Sequence, residues 1–155
     1  MKPEPLPPPH ADLHETMQGV WSLVAREDYD RTGNRLIDPV LGADPVGICC
    51  FAADRFGAQF MRKGGSPSQA PVPSTAGANN TLAADGYDAY FGSYEIDATA
   101  GTITVKLEGS VMRQNVGLRA TRTCRVRDDR LWIQLETTAV DGTPITRTLT
   151  FERCR

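Results

Sequence analysis

Histidine is scarce. Only His10 and His14 occur, both ahead of the first strand-like segment. A zinc site needs more ligands at short spacing, such as His-Glu-x-x-His or paired cysteines, and neither is present. The four cysteines, Cys49, Cys50, Cys124 and Cys154, form no Cys-x-x-Cys pair. No metal site and no cofactor are therefore expected. Adjacent Cys49 and Cys50 would point to opposite faces of a strand. The opening stretch MKPEPLPPPHADLHE lacks the apolar centre of a secretory signal. The thiols thus read as reduced, in a cytoplasmic protein, and as small buried hydrophobes rather than nucleophiles. An excess of charge is lacking too: 17 basic and 19 acidic residues leave a net charge of −2. That balance argues against nucleic acid or an anionic membrane as the partner. No apolar run approaches the roughly 18 residues of a membrane span. No Gly-x-Gly-x-x-Gly, phosphate-cradling loop or nucleophilic triad can be assembled.

What remains is a chain of 155 residues, the usual size of one domain. At that length roughly 70% of the unfolded surface is buried, enough for one hydrophobic core. The proline-rich residues 1–15 read as a flexible tail before a domain spanning 16–155. DLHETMQG suggests one or two helical turns. VWSLVAREDYD, VGICCFAAD and AQFMRK read as strands. Residues 64–80, rich in Gly, Pro, Ser and Ala, form a long loop, a candidate lid. The spacing of Leu82, Ala83, Gly86, Tyr87, Tyr90 and Phe91 predicts a helix ending at Gly92. From Gly92 onward the period switches to two, through GSYEID, GTITVKLEGS, VGLRATRTCRV, RLWIQLETTAV and PITRTLTFER. Eight strands with regularly spaced turns predict a sandwich or a barrel.

The first strand opens Gly19-Val20-Trp21, and the last ends FERCR. Lipocalins begin their first strand with Gly-x-Trp and set an arginine over that tryptophan, the place of Arg153. The longer run AYFGSYEIDATAGTITVKLEGS, with Asn115-Val116-Gly117, DDRLWI and the earlier DPVG with Met61, is more specific. Over roughly Gly19 to Glu152 the sequence resembles the lipocalin-like domain proteins, small bacterial and fungal proteins. The resemblance implies a mainly β fold: a single eight-stranded antiparallel lipocalin-like β-barrel around a small-molecule cavity. With the predicted helix, one helix would cover an end. The chain departs from the family pattern at Val105 and Lys106, where histidines often stand, and at Gln114 and Asn115, where an Asn-Trp pair often stands. Any role those residues carry is absent here.

Alternate residues of a barrel strand face inward. In the sixth strand Arg122 falls among Leu118, Ala120, Cys124 and Val126, and in the last strand Arg147 falls among Ile145, Leu149 and Phe151. An inward charge needs a partner. If the first and last strands pair with Trp21 opposite Arg153, Glu27 falls opposite Arg147. Arg122 is left either bridging a core carboxylate such as Glu108 or Glu136, or anchoring a ligand's acidic or carbonyl group. Tyr90 and Tyr94 could add hydroxyls beside it, and Phe60, Met61 and Trp132 are candidates for the cavity wall. The first functional reading is binding of a small apolar or aromatic molecule through a polar or acidic handle held by Arg122, Tyr90, Tyr94 and Arg147. The second is a cofactor-independent isomerase, cyclase or dehydratase acting on a small natural-product-like substrate. There Glu27 would be the base, Tyr90 or Tyr94 the acid and Arg122 the oxyanion partner. Catalysis ranks second because a Glu27 locked to Arg147 would be a poor base. The expected partner is a small molecule; the oligomeric state is left open, a homodimer being one possibility.

Overall fold

The computed structural model describes residues 4–64 and 83–155. Its elements are α1 (Leu13–Thr16), β1 (Gly19–Asp30), β2 (Arg35–Leu36), β3 (Val46–Ala52), β4 (Arg55–Met61), β5 (Tyr87–Asp97), β6 (Thr102–Ser110), β7 (Arg119–Arg127), β8 (Arg130–Thr138) and β9 (Pro144–Arg153). From β3 onward each strand pairs antiparallel with the next, and β1 pairs with both β3 and β9. Eight strands therefore close into a barrel without free edges, and β2 adds two residues beside the far end of β1. Among the described residues no helix is long and apolar enough to cross a membrane. The expected lid, residues 64–80, lies outside the described residues except for Gly64.

Period-two alternation builds the wall. In β7, Ala120, Arg122, Cys124 and Val126 are buried, while Arg119, Thr121, Thr123, Arg125 and Arg127 take the outer face. In β9, Ile145, Arg147, Leu149 and Phe151 are buried. One end is plugged by Trp21, which is fully buried and donates Nε1–H to the Met17 carbonyl at 2.8 Å. Trp21 pairs with Arg153, whose guanidinium lies 4.2 Å from the indole centroid. Arg153 also donates to the carbonyls of Gln18 and Thr16. Leu13 and Met17, one helical turn apart, turn the same side of α1 into the core. The segment before α1 reaches β7, where Arg125 donates Nε–H to the Pro7 carbonyl at 2.9 Å.

Two expectations need correction. The helix predicted to end at Gly92 is not formed over its described part: residues 87–97 are one continuous strand. The aromatic spacing that suggested a helix arises because Asp88, Tyr90, Gly92 and Tyr94 face inward while Phe91 lies outside, 54% exposed. The short helix covering an end is α1, at the plugged end. Gly92 is not a helix cap. It sits at a bulge between β5 and β6, where a Cβ would fall 1.9 Å from the Lys106 carbonyl oxygen. On the outer face the Phe91 ring lies across Gly109, in the space a Cβ would take, so the aromatic covers the backbone of the neighbouring strand.

The second correction concerns β1. Leu23 pairs with Phe151, but the next pair is Ala25 with Thr150, so Val24 is skipped. A bulge of one residue reverses which face each later side chain takes. Asp28, not Glu27, therefore comes opposite Arg147, and Glu27 comes opposite Thr148.

Candidate functional site

The end of the barrel away from Trp21 carries the ionisable interior. Arg147 donates Nε–H and Nη2–H to the two carboxylate oxygens of Asp28, at 2.8 and 3.0 Å. This fork-to-carboxylate geometry is the strongest form of ion pair. Arg26, two residues before Asp28 and on the same face, lies 4.0 Å from Asp28 and 3.2 Å from Asp38. Asp38 also reaches within 3.9 Å of Arg147. These four side chains are each no more than 12% exposed. Arg122, Asp88 and Tyr90 complete the cluster. The Arg122 guanidinium donates to the Tyr90 hydroxyl at 3.4 Å and lies 5.9 Å from the Tyr90 ring centroid.

Burial and charge set the protonation of these groups. Burial works against the Asp38 carboxylate, yet Arg26, the Leu41 N–H, Arg147 and the Val40 N–H together hold its pKa below the ordinary value. Burial lowers the pKa of Arg147, but the hydrogen bonds and charge of Asp28 outweigh it and raise the net value. Arg26 has no such fork, and burial followed by the Arg147 charge pulls its pKa down. It remains a cation at neutral pH, as guanidinium groups do. Burial, opposed by Arg122, raises the Tyr90 phenol, so its hydroxyl stays protonated. Burial also raises the Cys49 thiol and pushes Cys124 up to about 12. Neither is a thiolate nucleophile at neutral pH.

Two small voids meet at this cluster. One, of about 20 Å³, is apolar and lined by Phe51, Phe56, Ala58, Ile103 and Ile133 among others. The second, also about 20 Å³, is bordered by Arg26, Asp88, Arg147 and Leu135. Phe60, Tyr90, Arg122 and Leu149 border both. Each void has room for about one water molecule, against the hundreds of cubic ångströms of a site for a drug-sized ligand.

The mouth of this end is crossed by the loop between β2 and β3. Asp38 Oδ1 accepts the N–H groups of Val40 and Leu41 at 2.8 and 2.9 Å, and the Asp38 carbonyl accepts from Gly42. This tight turn pushes Val40 and Leu41 into the core, Leu41 being 1% exposed. Arg62 donates to the Pro39 and Val40 carbonyls, both at 3.2 Å.

Most of the residues of the chain fall within one known pattern. The sequence profile of the lipocalin-like domain matches residues 18–154. The chain belongs to the lipocalin-like domain family. No curated relative matches it. Within this lipocalin-like barrel, the sequence-predicted site residues separate into two groups. Arg122, Tyr90, Phe60 and Arg147 come together around the voids. Tyr94 faces inward but at the plugged end. Its hydroxyl donates to the Ala53 carbonyl at 2.6 Å and accepts from Gln18 Nε2 at 2.6 Å, away from Arg122. Met61, 50% exposed, and Trp132 point outward, because Phe60 and the pair Leu131 and Ile133 take the inward positions of their strands. Trp132 instead borders an outer groove of about 620 Å³, under the Arg127 guanidinium at 5.9 Å. Glu27 lies on the outer face and accepts a hydrogen bond from Tyr29 at 2.8 Å. Glu108 and Glu136 are also outside, bonded to Arg55 and Thr146. Among the described residues no three His, Cys, Asp or Glu side chains group as a metal site would require.

Sequence reasoning missed Arg26, Asp28, Asp38 and Asp88. The first two were hidden by the bulge. Asp38 carried a usable signal: Asp-Pro followed by Gly42 is turn chemistry, and a turn aspartate binds the N–H groups two and three residues on. Asp88 broke the apolar alternation of β5, and it stands near enough to Arg26 and Arg147 for its charge to act on both.

Proposed function

We propose that this barrel binds a small molecule through its mouth, with an apolar body toward Phe56, Phe60 and Ile133 and a polar handle beside Arg122 and Tyr90. The observation that carries this reading is the shared border of the two voids. Arg122 and Tyr90 stand where an apolar wall meets an ionic one, the arrangement that orients an amphipathic ligand. Because these voids are water-sized, binding requires side chains to yield space, and the buried Val40 and Leu41 are borne on a loop. The catalytic alternative loses its base. Glu27 is outside, and Asp28 is clamped by Arg147.

Ligand-observed NMR with phenol and benzamide tests it, on the native protein and on Ala58→Leu, which fills the apolar void. Binding to the native protein and its loss in Ala58→Leu are expected. Equal binding to both proteins would place the compounds outside the barrel and overturn the reading.

A further inference from the structure

The interior cluster is balanced in charge. Arg26, Arg122 and Arg147 face Asp28, Asp38 and Asp88, three cations and three anions. Five of the six stand on barrel strands, β1, β5, β7 and β9, where ladder hydrogen bonds hold the backbone. Asp38 alone stands on a loop. Its backbone makes one isolated bridge, to Gly42, rather than a ladder. Other attachments of that loop are the Arg62 bonds to two carbonyls, the Arg35 bond to the Ala43 carbonyl and the exposed Lys63–Asp44 pair. Ile37, next to Asp38, is 52% exposed.

The loop thus presents a carboxylate and, two and three residues later, two compact apolar side chains. The carboxylate enters between Arg26 and Arg147, and the apolar groups enter the core. We infer that the loop from Asp38 to Gly42 occupies a ligand's seat. The ligand is a small monocarboxylic acid, its carboxylate taking the place of Asp38 and its apolar body the place of Val40 and Leu41. This rests on the binding reading above and extends it: the handle is a carboxylate, and its anchor is the pair Arg26 and Arg147, which border the same void as Arg122 and Tyr90. The charge count explains why the exchange is selective. With Asp38 withdrawn the cluster holds one excess buried cation, which is strongly unfavourable. A monoanion restores balance, whereas a neutral isostere cannot replace Asp38 and binds the apolar void with Asp38 still seated. The energy for opening the mouth therefore comes from the arriving carboxylate.

Asp38→Asn is the informative variant, because Asn Oδ1 still accepts the Val40 and Leu41 N–H groups while the charge is gone. Benzoate and benzamide are titrated by calorimetry into the native protein, Asp38→Asn and Asp38→Asn with Arg26→Met. Benzoate is expected to bind Asp38→Asn about tenfold tighter than the native protein, the worth of one charge-assisted contact. Benzamide is expected to change little, and Arg26→Met is expected to remove the gain. Asp38→Ser, whose hydroxyl can also accept from the turn, carries the same expectation and serves if Asp38→Asn does not fold. Equal gains for benzoate and benzamide, or a gain that survives Arg26→Met, overturn the carboxylate seat while leaving small-molecule binding intact. Failure of both compounds to bind any of the proteins overturns both readings.

Discussion

The two ends of the barrel each hold arginine, half-buried at the plugged end and buried at the mouth, and they hold it differently. At the plugged end Arg153 lies on the Trp21 ring and donates to backbone carbonyls of α1 and the segment after it. Its one carboxylate partner, Asp129, lies 3.5 Å from Nε and is half exposed, in the turn between β7 and β8. At the mouth Arg26 and Arg147 are held by carboxylates, one of them on a loop. An arginine satisfied by a ring face, backbone carbonyls and a half-exposed carboxylate serves packing. An arginine satisfied by a carboxylate on a loop has a partner that a ligand's carboxylate could replace.

The contrast can be broken by removing one arginine from each end. Arg147→Met leaves Asp28 buried without its fork, and a loss of about 3–5 kcal/mol is expected in urea unfolding. Arg153→Met removes a ring contact and bonds to carbonyls near the surface, with a smaller expected loss of about 1–2 kcal/mol. Equal losses would erase the distinction. Acid should separate the ends next. The Asp38 pKa is lowered on folding from about 3.8, so its stabilisation is complete above that value and is lost as pH falls through the lower folded value. Thermal melts are expected to fall less steeply below about pH 4 in Asp38→Asn than in the native protein. Parallel acid profiles would show that Asp38 contributes no pH-dependent stability to the mouth cluster. The smallest effect belongs to Glu27→Gln. The amide oxygen can still accept from Tyr29 on the outer face, so stability should change by about 0.5 kcal/mol or less, with benzoate affinity unchanged. A lost affinity would return Glu27 to the site.

These expectations show where the chain was legible as text. Trp21 over Arg153 could be read directly, because alternation is unbroken from Gly19 to Leu23 and both residues lie near strand ends. The inward places of Arg122 and Arg147 followed from regular β7 and β9. The partner of Arg147 did not, since a bulge at Val24 depends on how two distant strands match and leaves no local mark. The stretch 87–91 misled because aromatic residues spaced by three and one satisfy a helical stripe as readily as a strand with an exposed Phe91. Its tertiary reason, the Phe91 ring over Gly109, lies eighteen positions away in sequence. Met61 and Trp132 were assigned by residue type, and their strands put smaller or neighbouring apolar groups inside instead.

Val24 behaves like a shift of reading frame within a single strand. Before it, β1 spells an apolar plug; after it, the same alternation spells a row of charges. Deleting that one residue would rewrite the mouth without touching any residue that lines it: Arg26 and Asp28 would turn to solvent and Glu27 would turn in. The chemistry of this interior is therefore encoded as much by the count of residues as by their kind, and a relative could exchange an acidic seat for another simply by gaining or losing one.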